Sequence, residues 1–225
     1  MIFDFFRKSS TTRHQDKIWL SRAQKYRGIC REGEQLQRVR PIVVLLAFFR
    51  RSWTELGEQL TKSGLHHLPH QETLSPPALL SLFNRTPEGG VSLVLAEATS
   101  DLAHGNAPHA PAPAVPRHLI VLEHYPLRAR DEALERAAAA LPFPHHLTFH
   151  GALDEPLFQQ HGAERIVPMW KSLGLAEDGC LESEPVSQAL ASAQKAIGRQ
   201  VRSEIRADSA EDWFARNLDD HPRSA

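Results

Sequence analysis

The sequence has few of the features that mark secreted or membrane proteins. It contains two cysteines, Cys30 and Cys180, in 225 residues, which is too few for a disulfide framework and favours a reducing compartment. No apolar run approaches the roughly 20 residues of a membrane-spanning helix. The N-terminus lacks the basic region and long apolar core of a signal peptide. We therefore expect a cytoplasmic protein without stable membrane insertion.

An excess of charge of one sign is also absent. The chain has 26 Lys and Arg residues against 27 Asp and Glu residues, a net charge of -1. Proteins that bind nucleic acid usually concentrate positive charge, so we predict no nucleic-acid partner. The length suits one domain with an extension, or two small domains.

The sequence does contain a regular alternation of apolar and helical segments. Residues 41–49 (PIVVLLAFF) are apolar without alternation, which is typical of a strand buried on both faces of a parallel sheet. Further strands are predicted at residues 65–68, 91–96, 117–122 and 145–150, and helices at residues 16–31, 52–60 and 131–141. This order predicts an α/β fold with a parallel sheet of about five strands flanked by helices.

Strand patterns end near residue 150, where we place a domain boundary. Residues 1–14 are predicted to be a flexible N-terminal tail, residues 15–150 the α/β domain, and residues 151–225 a C-terminal helical extension. Residues 106–116 are rich in Pro and Ala and predict an exposed loop between two strands.

The extension is predicted to contain one long helix. Ser183 suits its N-cap and Pro185 its first turn, and a helix over residues 183–207 would be roughly 35 Å long. Apolar residues recur every three to four positions and form one stripe: Val186, Leu190, Ala193, Ile197, Val201 and Ile205. A capping-box sequence at residues 209–212 predicts a second, short helix that carries Trp213, Phe214 and Leu218.

An exposed apolar stripe of this size marks an interaction site. We therefore expect a protein partner, or self-association, through a set of six apolar residues: Val186, Leu190, Ile197, Val201, Trp213 and Phe214. The alternative is that Trp213 and Phe214 fold back over the stripe and close the protein as a monomer.

Histidine is abundant, with 13 residues, and two groups invite a metal site: His66, His67 and His70, and His145, His146 and His150. Zinc ligands need convergent geometry, such as positions i and i+4 of a helix. On the predicted strand, His146 and His150 would lie roughly 13 Å apart. We therefore predict exposed histidines and no metal site.

Residues 154–201 contain a series of spaced positions that match a known family: Asp154, Arg165, Met169, Lys171, Gly174, Gln194 and Lys195. On these positions the stretch resembles the SecA preprotein translocase ATPase family, at the junction of its second nucleotide-binding domain and its long scaffold helix. The resemblance covers roughly residues 15–205 and is gapless from Glu123 to Val201. It implies that the sheet is RecA-like. Positions that match the family include Glu123, Arg128, Asp131, Leu134, Phe149, Asp154, Arg165, Met169, Lys171, Gly174, Gln194 and Lys195.

The same resemblance places other residues where the family has its nucleotide-facing groups. Three family arginines fall at Glu135, Ala137 and Ala140, and a carboxylate and two methyl groups cannot neutralise phosphate oxygens. Only Thr99, Ser100 and Asp101 remain near the family's Gly-Arg-Gly-Thr-Asp loop, and its Thr-Ser-x-Glu turn falls at residues 48–51. A phosphate-binding loop of the G-x-x-x-x-G-K-[ST] type is absent from the sequence.

These differences imply a degenerate ATPase domain without catalytic residues or a cofactor. The expected function is that of a non-catalytic, SecA-like protein-interaction module with a link to protein translocation. The alternative is a nucleotide-binding ATPase lobe completed in trans by a partner chain that supplies the phosphate-binding loop. That alternative would require Arg128, Arg130 and Arg136 to replace the family's arginines.

Overall fold

The computed structural model describes residues 11–13, 16–37, 39–97, 115–161, 163–172, 174, 176 and 178–218. Predictions for most of the N-terminal tail and most of the loop at 106–116 lie outside these residues, as do those for Thr99, Ser100 and Asp101. In chain order the elements are β1 (Thr11–Arg13), β2 (Lys17–Trp19), α1 (Arg22–Gln37), β3 (Ile42–Ala47), α2 (Arg50–Lys62), β4 (His67–Thr73), α3 (Pro76–Arg85), β5 (Val91–Glu97), β6 (Arg117–Val121), α4 (Arg128–Ala139), β7 (His145–Ala152), α5 (Pro156–His161), α6 (Ala163–Ser172), β8 (Leu181–Glu182), α7 (Glu184–Gln200) and α8 (Ala210–Leu218).

Five parallel strands form the centre of the sheet, in the order β4-β5-β3-β6-β7. The α/β class predicted from the sequence is therefore confirmed. All six residues of β3 are buried, because its side chains alternate between two covered faces. Val44 and Leu46 pack towards α3 and α4, whereas Val43 and Leu45 pack towards α1 and α2.

Three short strands extend the sheet beyond the predicted five. β1 pairs with the start of β7, β2 pairs in parallel with the end of β7, and β8 pairs antiparallel with β2. The predicted helix over residues 16–31 is therefore wrong at its start, and α1 begins at Arg22. The free edge of β7 accounts for the difference, because it offers backbone hydrogen bonds to Lys17–Trp19 that a helix would forgo.

Two other elements differ from prediction. β4 covers His67–Thr73 rather than residues 65–68, since it is an edge strand whose polar residues give little apolar signal. Helix α3 was not predicted, although the Ser75 side chain caps it by accepting a hydrogen bond from the Ala78 N–H, at 3.3 Å. The extension also contributes to the sheet, since β8 lies beyond the predicted boundary at residue 150.

The predicted long helix is shorter than expected. α7 has 17 residues and is about 25 Å long, because Val201 adopts an extended conformation with φ -85° and ψ 109°. Ile205, predicted on the apolar stripe, is 49% exposed. Asn217 of α8 holds its backbone instead: the Ile205 N–H donates to Asn217 Oδ1 at 2.7 Å, and Asn217 Nδ2 donates to the Ile205 carbonyl at 2.9 Å.

The short C-terminal helix forms as predicted, over Ala210–Leu218, and the Asp212 N–H donates to Ser209 Oγ at 3.1 Å. Among the described helices, none has the length and apolar composition needed to span a membrane.

Candidate functional site at the carboxyl edge of the sheet

The carboxyl edge of the sheet is where this topology favours a binding site. β4 and β5 lie on one side of β3, and β6 and β7 lie on the other, so the strand order reverses at β3. Crevices outside the carboxyl ends of strands at such a point commonly bind ligands. A cavity of about 280 Å³ lies there, with Phe48 and Phe49 after β3, Leu95 in β5 and Tyr125 after β6 in its wall.

The opposite wall of this cavity comes from the C-terminal part of the chain, which the sequence did not predict. It contains Arg206 and Asp208 before α8 and Asp212 and Arg216 within it. Arg216 Nε lies 2.7 Å from Asp212 Oδ1, and the Asp208 carboxylate lies 3.7 Å from Arg50 Nε. Acidic groups of the chain therefore accompany the arginines of the cavity.

Arg128 occupies the first turn of α4, surrounded by carboxylates. Its Nη2 lies 2.9 Å from Glu135 Oε2, its Nε 3.3 Å from Glu132 Oε1, and its Nη1 3.9 Å from Asp131 Oδ2. Glu135 is one of the positions at which the SecA resemblance expects an arginine. The one arginine that matches the family in this helix is therefore neutralised from within the helix.

Arg130 is paired with a residue that the sequence did not indicate. Its Nη2 lies 2.9 Å from Glu204 Oε2, and Glu204 also accepts hydrogen bonds from the Tyr125 hydroxyl and from Trp213 Nε1, the latter at 3.0 Å. Burial opposes ionisation of Glu204, but these three donors outweigh it and lower its pKa. Glu204 reaches this position because α7 ends at Gln200.

The other positions of α4 that align with the SecA family's nucleotide-facing segment place no cation at the cavity. Arg136 is exposed on α4, and Ala137 is 3% exposed within the main apolar core. Ala140 lies exposed at the C-cap of α4. The structure thus does not direct Arg128, Arg130 and Arg136 towards one shared position where they could bind an anion.

A buried polar network fixes the end of β6 against α4 and α7. Asp131 accepts hydrogen bonds from the Tyr125 N–H at 3.0 Å and from Gln194 Nε2 at 2.8 Å. His124 Nδ1 lies 2.7 Å from the Asp131 carboxylate, and His124 Nε2 lies 3.5 Å from Asp16. Burial alone would lower the pKa of His124, but the two carboxylates outweigh burial and raise it to about 9.

Glu123 performs a second structural task at this edge. Its Oε1 accepts hydrogen bonds from the Phe48 N–H at 2.6 Å and the Phe49 N–H at 3.2 Å, where β3 leads into α2. Its burial raises the pKa to about 7. Two residues that match the SecA pattern, Glu123 and Asp131, thus hold backbone and side chains of their own chain.

The six residues predicted to bind a partner lie within one core. Five of them are buried: Val186, Leu190, Ile197, Trp213 and Phe214. Val201 is partly buried, and Leu153, Leu157 and Phe158 belong to the same core. The structure has the closed arrangement that the sequence left as an alternative. An interface at these side chains would require part of this core to open.

The two histidine groups do not converge either. His145 begins β7, and His150 lies further along it, where its Nδ1 accepts a hydrogen bond from Trp19 Nε1 at 3.1 Å. Both side chains are buried, so the prediction that these two histidines are exposed is wrong. Within the described ranges, no group of three or more His, Cys, Asp or Glu residues could hold a metal ion.

The parallel sheet, the helices on both its faces and the C-terminal helices define an α/β domain. Among curated proteins, this chain is similar to three that carry the name protein translocase subunit SecA. It is 25% identical to the protein of Caldicellulosiruptor saccharolyticus over 196 residues, which are 82% of this chain and 22% of that protein. It is 24% identical to the protein of Psychrobacter sp. over 211 residues, or 80% of this chain and 22% of that protein.

The third relative, from Desulfovibrio desulfuricans, is 22% identical over 195 residues, or 82% of this chain and 21% of that protein. The predicted resemblance to SecA is thereby confirmed as a distant similarity. The chain spans about a fifth of the length of these relatives. No protein-family model matches the chain.

Proposed function

We propose that this chain is a SecA-like domain that binds other proteins, without hydrolysing ATP, in a process linked to protein translocation. The pairing of its arginines with its own carboxylates carries this proposal. Phosphoryl transfer needs cations directed at the developing negative charge. Arg128 already faces three carboxylates and Arg130 already binds Glu204, so either would have to exchange these partners for phosphate.

The wall of the cavity supports the same proposal. Asp208 and Asp212 line the space of about 280 Å³ at the carboxyl edge beside Arg50 and Arg216, with which they pair, so a polyphosphate would have to displace these carboxylates to reach the two arginines. Occupation of this edge by the C-terminal part of the chain is compatible with a structural domain. An ATPase lobe completed in trans would need the edge open to another chain.

The link to translocation is supported by the names of the three relatives. Because this chain spans about a fifth of those proteins, their activity does not transfer with the similarity. We propose that the chain works in the cytoplasm and binds a translocation component or a second copy of itself.

Nucleotide binding by the full chain tests the non-catalytic part. We expect a fluorescent ATP analogue with Mg²⁺ to show no saturable binding at micromolar concentrations. The matched variant Glu135→Gln releases one carboxylate from Arg128 and is expected to behave alike, because Glu132 and Asp131 remain. Micromolar affinity of the wild-type chain, or ATP hydrolysis on addition of a SecA chain, would overturn the proposal.

The interaction part is tested by cross-linking and co-purification of the tagged full chain from its native cells. We expect recovery of a translocation component or of untagged copies of the chain. Enrichment of neither, over a tag-only control, would contradict this part and leave the nucleotide result as it stands.

A further inference from the structure

The C-terminal segment, residues 206–218, lies on the rest of the chain in the manner of a bound peptide. Its acidic side chains face arginines of α1 and α2. The Glu211 carboxylate lies 2.7 Å from Arg22 Nη1 and 3.7 Å from Arg51 Nη1. The Asp208 carbonyl accepts a hydrogen bond from the Arg51 N–H at 3.0 Å.

The first turn of α2 is suited to receive such a segment. It carries Arg50 and Arg51, and its N-cap is Phe49, whose side chain cannot accept hydrogen bonds from the helix. The positive end of the helix dipole adds to the charge of the two arginines. A carbonyl and carboxylates are therefore the groups that complete this end of α2.

Aromatic residues provide the apolar part of the contact. Trp213 and Phe214 are buried, in a cluster with Leu157 of α5 and Tyr125. The rings of Trp213 and Tyr125 meet edge to face, with centroids 6.0 Å apart. We call the surface made by Arg22, Arg51, Tyr125 and Leu157 the α8 seat. Towards this surface the segment presents the Glu211 carboxylate and, after it, two adjacent aromatic residues, Trp213 and Phe214.

The connection from α7 to the segment is irregular, and within it Glu204 accepts a hydrogen bond from Trp213 Nε1 at 3.0 Å and pairs with Arg130 at 2.9 Å. Release of the segment therefore breaks the Trp213 contact and opens the core that contains Trp213 and Phe214. Residues 201–209 contain no regular helix or strand, and Arg202, Ser203 and Ile205 within them are exposed. The ion pairs of Arg22 and Arg51 are partly exposed, and such pairs contribute little each and are screened by salt. The polar half of the contact is thus exchangeable.

We propose that the α8 seat is a docking site for a helix of a partner protein that carries an acidic residue in its first turn, followed by two adjacent aromatic residues. Residues 206–218 are its internal ligand and close the seat when the partner is absent. This proposal rests on the proposed function as an interaction module and specifies the partner. A competing helix faces an internal ligand at an effective concentration of roughly millimolar, so the partner binds weakly until the internal contact is weakened.

The test uses the full chain and a fluorescent synthetic peptide of residues 206–218. The variant Glu211→Arg repels Arg22 and Arg51 and opens the seat. We expect it to bind the peptide at least about tenfold more tightly than the wild-type chain does. Glu58→Arg is the control, because Glu58 is exposed on α2 and pairs with Lys62 at 3.8 Å, outside the seat. It should bind as the wild type does.

Charge exchange guards against a non-specific effect. A peptide carrying Glu211→Arg should bind Glu211→Arg protein poorly and should bind a protein variant Arg22→Glu better than the unmodified peptide does. Hydrogen exchange should show that α8 amides lose protection in the Glu211→Arg chain while those of β3 keep it.

Three results would overturn the proposal. These are equal binding of both peptides, unchanged protection of α8 in Glu211→Arg, and dimerisation of the opened variant without peptide binding. The last result would assign the seat to a second copy of the chain. None of these measurements involves nucleotide, so their failure is distinguishable from failure of the non-catalytic function.

Discussion

Arg128 and Glu135 lie two turns apart on the same helix, and Arg128 Nη2 donates to Glu135 Oε2 over 2.9 Å. The SecA resemblance expects an arginine at position 135. An arginine there would add a second cation and remove one of the three carboxylates that Arg128 faces, leaving it Glu132 and Asp131. The carboxylate instead gives Arg128 a partner in its own helix, so a single charge reversal alters the chemistry of two positions.

Reintroducing arginine at the other two aligned positions should affect stability unequally. Ala137 packs in the main core, so Ala137→Arg buries a charge and should lower the free energy of unfolding by on the order of 3 kcal/mol. Ala140 is exposed, so Ala140→Arg should change it by less than about 0.5 kcal/mol. Urea unfolding measures both values. Equal effects would contradict the placement of Ala137 in the core.

The buried pair of Lys25 and Glu155 should show strong coupling. Lys25 is fully buried, donates to the Leu122 carbonyl at 2.7 Å and forms an ion pair with Glu155. Lys25→Met leaves the Glu155 charge without its partner and should cost about 3–5 kcal/mol. The double variant Lys25→Met/Glu155→Gln should recover part of that loss. A double-mutant cycle from denaturant unfolding measures the coupling, and additive effects would refute it.

Stability should fall on the alkaline side because of His124. Its pKa of about 9 in the folded state exceeds the ordinary value of 6.5, so its contribution is complete below pH 6.5 and is lost as the pH rises through 9. Charged groups facing it are Asp16 and Asp131. The free energy of unfolding, measured against pH, should decline more steeply between pH 6.5 and 9 in the wild type than in His124→Asn.

His150 affects the free energy of unfolding on the acid side of the pH profile, in the opposite sense to His124. Burial lowers the pKa of His150 well below 6.5. Its contribution is present above pH 6.5 and is lost as the pH falls. The difference between wild type and His124→Asn isolates the alkaline effect, because His150 is common to both. Parallel curves over pH 6.5 to 9 would show that His124 does not carry the effect.

Two glycines of α1 should respond in opposite directions to alanine. A Cβ at Gly28 would overlap the Trp19 ring, and Trp19 is held by its hydrogen bond to His150. Gly28→Ala should therefore destabilise the protein. A Cβ at Gly33 would lie 3.5 Å from Leu65, an ordinary contact, so Gly33→Ala should stabilise it by up to about 1 kcal/mol. Thermal unfolding compares the two, and equal shifts would contradict the packing of Trp19 on α1.

The central strands were predictable because each buries a run of apolar residues long enough to show in the sequence. Lys17–Trp19 and Leu181–Glu182 have three and two residues, so their pairing depends on the free edge of β7 and not on a local pattern. The end of α7 was also hidden, since Val201 and Ile205 continue the helical spacing. Tertiary contacts of Glu204 and Asn217 favour the turn there.

The sequence predicted which nucleotide-facing arginines the candidate site lacks. It did not predict that the C-terminal segment covers the site. The positions of Glu135, Ala137 and Ala140 follow from the resemblance to SecA. The roles of Glu204, Asp208 and Glu211 follow from the return of the C-terminal segment to the carboxyl edge. No local sequence pattern around these acidic residues predicts which arginine each of them contacts.

The burial of Lys25 also affects the order in which parts of the chain fold during synthesis. Its partner Glu155 follows 130 residues later, and ribosomes need on the order of 10 s to add that many residues. During that interval Lys25 stays hydrated, because burying its charge requires Glu155 and the Leu122 carbonyl, which lie later in the chain. The sheet edge formed by β2 is therefore expected to assemble late, after most of the chain has emerged.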